Sequence, residues 1–214
     1  MRFDGALRRL LREVAETSGA SRSDRVLGAL ARVPRHLFVE EALWARAYTD
    51  DALPIGYGQT ISKPSTVARM TEALDPAPGD RVLEVGTGSG YQAAVLAFLG
   101  VRLYTVERIP ALALRARRVL VQVGAFGVSV RPGDGAQGWP EAAPFRGILV
   151  TAAAPGTPRA LLEQLEVGGR LVLPVAEEDG QSLRRLVRTG PASWAEETLE
   201  PCRFVPLVGR GGMG

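Results

Sequence analysis

Three glycines at alternate positions stand out first, in Val82-Leu83-Glu84-Val85-Gly86-Thr87-Gly88-Ser89-Gly90-Tyr91. The run lies between an apolar stretch that reads as a strand and a segment that reads as a helix. A turn this tight needs glycine, which tolerates positive φ and lets a ligand approach the backbone. The following helix offers its free N–H groups at the same point. Two carboxylates occupy matching places further on. Glu107 ends the next strand-like run, Leu103-Tyr104-Thr105-Val106-Glu107. A carboxylate roughly 20 residues past such a loop reaches ribose hydroxyls. Asp134 follows the third run, in Gly133-Asp134-Gly135, where it could accept a hydrogen bond from an adenine amino group. Each also has a plainer reading, Glu107 as a helix cap and Asp134 as an Asp-Gly turn. Three such signals, in order on consecutive strand ends, point to an adenosine-type cofactor.

The spacing narrows the choice. A dinucleotide fingerprint places its third glycine three residues after the second. Here that position is Tyr91, which disfavours a nicotinamide oxidoreductase. The Gly-x-Gly-x-Gly form resembles the S-adenosylmethionine loop of the seven-stranded methyltransferases, where the helix end faces an amino acid and a ribose. The candidate cofactor residues are Glu84, Gly86, Thr87, Gly88, Ser89, Gly90, Glu107, Arg108, Asp134 and Gly135. Glu84 has two readings: a partner for the methionyl ammonium, directly or through water, or an ordinary strand-end carboxylate.

These residues need a scaffold. From about residue 65 the chain alternates strand and helix: strands at 81–85, 101–106, 128–131, 147–151 and 170–175, with helices at 91–99, 111–123 and 158–165. Such alternation argues a parallel sheet covered on both faces. Two further strands, 183–188 and roughly 197–207, have no helix between them and suit a hairpin at one sheet edge. Residues 1 to about 46 read as helical, with Leu7, Leu10, Leu11 and Val14, then Val26, Leu27, Leu30 and Val33, at three- and four-residue spacing. Ser21 or Ser23 could cap the second helix, and Pro34 ends or kinks it. Residues 47–62 read as a structured loop. The expected fold is α/β, a doubly wound, mostly parallel seven-stranded sheet of Rossmann-like methyltransferase type with an N-terminal helical extension. Within one compact unit, 1–62 supply helices and a substrate lid, 63–208 the S-adenosylmethionine-binding domain with its C-terminal strands, and 209–214 a flexible tail.

Composition removes other chemistries. The chain has 214 residues, one cysteine (Cys202) and one histidine (His36). A structural zinc site or a Ser-His-Asp triad has too few parts, and no metal is expected. His36 reads as a structural residue at a helix end, and Cys202 as a small buried one. Asp50 and Asp51 are expected to shape their loop. Arg115, Arg117 and Arg118 are expected to form a solvated helix face. A net charge of +3 does not demand a nucleic-acid partner. No apolar run approaches the roughly 20 residues that span a bilayer, and the N-terminus does not read as a signal peptide. No membrane association, a cytoplasmic location and a monomer are the expectations.

Several further segments together resemble the protein-L-isoaspartate O-methyltransferase family. They are Val33-Pro34-Arg35-His36-Leu37-Phe38-Val39, Ala47-Tyr48-Thr49-Asp50, Leu53-Pro54-Ile55-Gly56, Gly58-Gln59-Thr60-Ile61-Ser62, the glycine loop through Ala94, Thr105-Val106-Glu107-Arg108, Gly133-Asp134-Gly135, Gly168-Gly169-Arg170-Leu171 and Phe204-Val205-Pro206-Leu207. The Gly-Gln-Thr-Ile-Ser and Phe-Val-Pro-Leu segments are the most specific. Two positions depart from the pattern: Arg146 stands where the family has an acidic residue, and Ala176 where it often has glycine. The resemblance implies Ser62 as the active-site serine, and Ile61, Ser62 and the backbone around Val205 as the holders of an isoaspartyl group. It implies methyl transfer from S-adenosylmethionine, leaving S-adenosylhomocysteine, to isoaspartyl-containing proteins and peptides. A capping role for Ser62, ahead of a helix starting at Lys63-Pro64, competes with or accompanies that one. The alternatives are a methyltransferase of a small molecule or RNA, and a cofactor-binding module without catalysis. The motif of amino methylation is missing after the fourth strand, where the chain reads Thr151-Ala152-Ala153-Ala154-Pro155.

Overall fold

The computed structural model describes residues 3–17 and 24–210. The proposed caps Ser21 and Ser23, and residues 211–214 of the tail, lie outside them. Strands β1 (Leu53–Gly56) and β2 (Gln59–Ile61) form a small antiparallel hairpin. The main sheet contains β3 (Arg81–Val85), β4 (Arg102–Glu107), β5 (Val128–Pro132), β6 (Phe145–Val150), β7 (Leu165–Glu177), β8 (Gly180–Gly190) and β9 (Ser193–Pro201). Its seven strands run in the order β5-β4-β3-β6-β7-β8-β9. The first five are parallel, and β8 and β9 continue antiparallel to one edge.

Helices α3 (Pro64–Leu74), α4 (Tyr91–Phe98), α5 (Pro110–Gln122) and α6 (Arg159–Glu163) connect and cover these strands. Proline stands at the first position of α3 and α5, where its missing N–H costs nothing. The central strands are apolar almost throughout because both sheet faces are covered: Val82, Leu83 and Val85 of β3, and Ile148, Leu149 and Val150 of β6, are all buried. The strand order reverses between β3 and β6. In an open parallel sheet the crevice beyond the strand ends at such a reversal is where ligands bind.

Helices α1 (Asp4–Thr17) and α2 (Asp24–Arg32) pack beside α3 and α4 through Leu10, Val14, Val26 and Leu30. None of the described residues is in a helix long and apolar enough to cross a membrane.

Four local readings are corrected. Residues 35–46 are two 3-10 turns, Arg35–Phe38 and Glu41–Arg46, because Pro34 breaks α2 and prevents the helix from resuming in register. The loop 47–62 contains the β1–β2 hairpin, whose tip Gly56-Tyr57-Gly58 has positive φ throughout. The last strand runs Ser193–Pro201, earlier than the expected 197–207. Pro201 and Pro206 have no N–H for a ladder. The chain after β9 crosses back, and its Pro206 pairs in parallel with Ala153. Finally, β7 begins at Leu165 and shortens the helix before it.

Candidate active site

An open cleft lies at the reversal point of the sheet. One wall is the glycine loop with Glu107 and Arg108. The facing wall combines Thr60, Ile61 and Ser62 with Val205–Val208. No residue of α1, α2 or the 3-10 turns lines it.

The loop is held by its neighbours. Gly86 N–H donates to Val106 O (2.9 Å), Gly90 N–H to Thr87 O (2.8 Å), and Gly88 N–H to Glu107 Oε2 (2.8 Å). Gly86 has φ +94°, and a β-carbon there would strike the Thr151 hydroxyl. That hydroxyl sits at the end of β6 and donates at 2.6 Å to Gly86 O, with Val85 O at 3.0 Å. Thr151 was not singled out by sequence. The reversal of strand order, which puts the ends of β3 and β6 side by side, is the signal that finds it.

Glu107 is held at both oxygens by backbone N–H groups. Its Oε1 accepts the N–H of Ile109, the residue before α5, at 2.8 Å, while Oε2 holds Gly88. Each oxygen keeps a further lone pair, and the side chain lines the cleft. Arg108 lines it too, and is exposed.

Glu84 is fully buried behind the loop. Thr105 donates its hydroxyl proton to Glu84 Oε2 at 2.6 Å. When Glu84 is ionised, Thr105 spends its one proton there and accepts from Thr87, whose hydroxyl is 2.6 Å away. In that state Thr87 spends its proton inward and keeps its lone pairs for the cleft. Burial, with Glu107 adding to it and the Thr105 hydrogen bond opposing, pushes the Glu84 carboxyl up to about 8. Its Oε1 is buried with no partner.

Asp134 is placed differently from Gly135. Gly135 lines the cleft, and a β-carbon there would strike Val85. The carboxylate of Asp134 points elsewhere: Oδ1 accepts Ala136 N–H at 3.0 Å and Oδ2 accepts Arg210 N–H at 2.7 Å. Its turn-forming role is the one seen here, and the cleft lining does not include it. Gly209 and Arg210, the described end of the expected tail, are fastened at this point.

On the facing wall, Ser62 is half-buried. It is not the helix cap: Lys63 occupies the cap position and makes no side-chain capping bond. Asp50 does that work, accepting Ser65 N–H at 2.7 Å and the Ser65 hydroxyl at 2.6 Å. This frees the Ser62 hydroxyl from the capping duty. Val205 is brought opposite by Ala153, whose N–H donates to Val205 O at 2.8 Å and whose O accepts Leu207 N–H at 2.7 Å.

The remaining singled-out residues are structural. His36 Nδ1 and the Tyr48 hydroxyl are 2.7 Å apart, within an aromatic group with Phe3 and Trp44. Burial pushes the half-buried Cys202 thiol up to about 11, so it is not a nucleophile at neutral pH. The arginines of α5 are only partly a solvated face. Arg118 is exposed, but Arg115 reaches Ile55 O (3.4 Å) and Arg117 donates to Val130 O.

The sheet order, the Gly-x-Gly-x-Gly turn at its reversal and the carboxylate ending the next strand define an S-adenosylmethionine-dependent methyltransferase. The family model described as protein-L-isoaspartate(D-aspartate) O-methyltransferase matches residues 8–212, and the chain belongs to that family. The protein-L-isoaspartate O-methyltransferase of Syntrophotalea carbinolica is 59% identical over 187 residues, 87% of this chain and 86% of that one. That of Geobacter metallireducens is 51% identical over 214 residues, 100% and 99% of the two chains. A solved protein-L-isoaspartate O-methyltransferase superposes with a TM-score of 0.86 at 26% identity, covering 96% of this chain and 66% of that one. A Plasmodium falciparum structure, described as such a methyltransferase in complex with S-adenosyl-L-homocysteine, gives 0.81 at 24% identity over 94% and 97%. At that identity it bears on the fold alone.

Proposed function

We infer that this chain transfers the methyl group of S-adenosylmethionine to the free α-carboxylate of L-isoaspartyl residues in damaged proteins and peptides, which starts their return to L-aspartate. The observation that carries this reading is convergence. Ser62 and Val205, far apart in sequence, face the glycine loop across one cleft. The reading takes the enzyme to be a cytoplasmic monomer with isoaspartyl proteins as partners and no nucleic acid.

The residues present fit the cofactor. Gly86 to Gly90 give a cradle without β-carbons at its tightest point, and Glu107 retains acceptors for ribose hydroxyls. Thr87 offers lone pairs, backed by the buried Glu84, to a positively charged amino group. Gly135 leaves room for a flat ring where a β-carbon would not fit. Asp134 would serve the ring amino group only after releasing Arg210. When bound, S-adenosylmethionine supplies an activated methyl on sulfonium and leaves as S-adenosylhomocysteine.

The acceptor carboxylate ionises near pH 3.5–4, as an α-carboxyl group does, roughly, so it needs no general base. The cleft lining holds no His or Asp, and its one Glu, Glu107, belongs to the opposite wall and accepts from Gly88 and Ile109. Ser62 therefore acts by donating a hydrogen bond that orients the carboxylate, with Ile61 and the Val205 backbone fixing the rest of the residue. Orientation and exclusion of water can contribute roughly 7–11 kcal/mol.

The test is transfer of labelled methyl to a short peptide containing L-isoaspartate, beside its L-aspartyl twin, with wild type and Ser62→Ala. We expect base-labile methylation of the isoaspartyl peptide only. Loss of one hydrogen bond to a charged group, about 1.5–3 kcal/mol, should lower kcat/KM roughly 10- to 160-fold in the variant. Methylation of neither peptide, with S-adenosylhomocysteine still bound, would sink the substrate assignment.

A further inference from the structure

Ser62 stands where two openings meet. One is the cofactor cleft. The other is a wider groove that shares Thr60, Ser62, Thr151 and Val205 with it and continues outward between the start of α3 and the segment after β9. The mechanism above leaves this outer groove unused.

Its charge is unbalanced. Lys63 and Arg203 both line it. Both are exposed, and neither side chain has an ion pair or hydrogen bond among the described residues. Lys63 is the single lysine of the sequence. The one acid in the lining, Glu200, is already paired with Arg69 at 3.3 Å. Two arginines of the adjacent β8 differ: Arg184 is paired with Glu177 and Glu196, and Arg185 with Glu197. The groove that Ser62 also lines thus carries two uncompensated cations. A concave surface of one sign concentrates opposite charge, and the effect weakens with salt.

We propose that this outer groove binds the peptide residues flanking the isoaspartate and selects acidic flanks, with Lys63 and Arg203 as the residues that set the preference. The proposal rests on the methyl-transfer reading given above. Lys63 holds α3 by its backbone only, so its side chain can be changed without removing a cap.

The experiment uses peptides with one L-isoaspartyl residue and Glu, Gln or Lys on either side. Two quantities are read for each: kcat/KM, and binding by fluorescence anisotropy in the presence of S-adenosylhomocysteine. Wild type should rank the Glu peptide above Gln and Gln above Lys, with the difference in KM and shrinking in high salt. Exposed charge pairs change affinity by roughly 1.5- to 5-fold each. Lys63→Gln and Arg203→Gln should each narrow the ranking by that factor, and Lys63→Glu/Arg203→Glu should invert it. No ranking in wild type, or a ranking the double variant leaves intact, overturns the proposal. Equally tight binding of a single-stranded oligonucleotide of the same charge also overturns it, since the groove would then not be selecting peptide. If no peptide is methylated, the methyl-transfer reading fails, and the anisotropy ranking still decides the groove on its own.

Discussion

The two walls of the cleft are built in different ways. The glycine-loop wall is local: one strand, one turn and one helix, with the next strand end beside it. Its polar groups are committed, with Gly86 held by Val106, Gly88 by Glu107, and Thr87 by Thr105 and through it Glu84. The facing wall is assembled from a hairpin near residue 60 and a returning segment near residue 205. It is joined to the sheet through Ala153 and steadied from behind by Asp50. The first wall suits a cofactor whose shape never changes. The second leaves Ser62 exposed to an outer groove and suits a substrate that varies in everything but one residue. Changes on the first wall should therefore act on cofactor binding, and changes on the second on peptide kinetics.

The sharpest way to break this contrast is Gly86→Ala. Its φ of +94° is a conformation that L side chains rarely adopt, and the new β-carbon would meet the Thr151 hydroxyl. Backbone strain of this kind costs about 1–3 kcal/mol by itself, and losing the Thr151 bonds adds to it. We expect S-adenosylhomocysteine binding, measured by calorimetry, to be lost. Gly88→Ala is the control, since its φ is +52° and its β-carbon would meet only Ile55 Cδ1, at 3.5 Å. It should weaken binding less. Equal effects would mean that contact with Thr151 does not set the loop.

Next comes Glu84→Gln, a test of pH dependence. The folded carboxyl titrates at about 8, whereas an unfolded one titrates near 4.3, roughly. Between these values the folded chain holds a proton that the unfolded chain has lost. Stability must therefore fall as pH rises through that window and level off above about 8. Glu84→Gln should remove that contribution to the slope, so its stability relative to wild type grows from pH 5 to pH 9 by a few kcal/mol, on the order given by the shift. Denaturant melts at three pH values read it. Acting through Thr87, an ionised Glu84 should also favour a cationic ligand, so cofactor affinity should rise with pH near 8 in wild type only. Parallel stability curves for the two proteins would show that Glu84 is ionised when buried.

On the second wall, Asp50→Ala removes both bonds to Ser65. Loss of a helix cap costs about 0.5–2 kcal/mol. Because the loosened turn carries Ser62 and Lys63, we expect peptide KM to rise severalfold while S-adenosylhomocysteine affinity holds. A matched loss of cofactor affinity would show that the two walls move together.

The same contrast explains what could be read from sequence. Glu84 to Tyr91, Glu107 and the β-α alternation are local patterns, and the seven-stranded sheet follows from them with its antiparallel edge. Thr151 escaped because its meaning comes from strand order, which no local window contains. Asp134 keeps two readings in sequence, because the Asp-Gly turn is the same whether its carboxylate faces a cleft or a chain end. The positive-φ tip of the β1–β2 hairpin needs Tyr57 at +56°, a conformation seldom adopted by an aromatic residue and so not foreseen. Ser62 and Val205 came from resemblance to the family; nothing in their own surroundings in sequence pairs them.

The smallest effect is expected at Arg146, where the family pattern has an acidic residue. Arg146 lies at the start of β6, at the opposite end of that strand from Thr151, and is absent from the lining of both the cleft and the groove. Its guanidinium is 3.6 Å from Glu166, and each side chain is about two-fifths exposed, 43% and 40%. Pairs so exposed contribute at most about 1 kcal/mol. Arg146→Asp would replace an attraction by a repulsion between two solvated carboxylates, so a loss of a few tenths of a kcal/mol is expected, read as a Tm shift that shrinks in salt. The kinetics with every peptide and the affinity for S-adenosylhomocysteine should not change. A change in kcat from this position would mean that the far end of β6 is coupled to the site through Thr151, and the division of the cleft into two independently built walls would have to be given up.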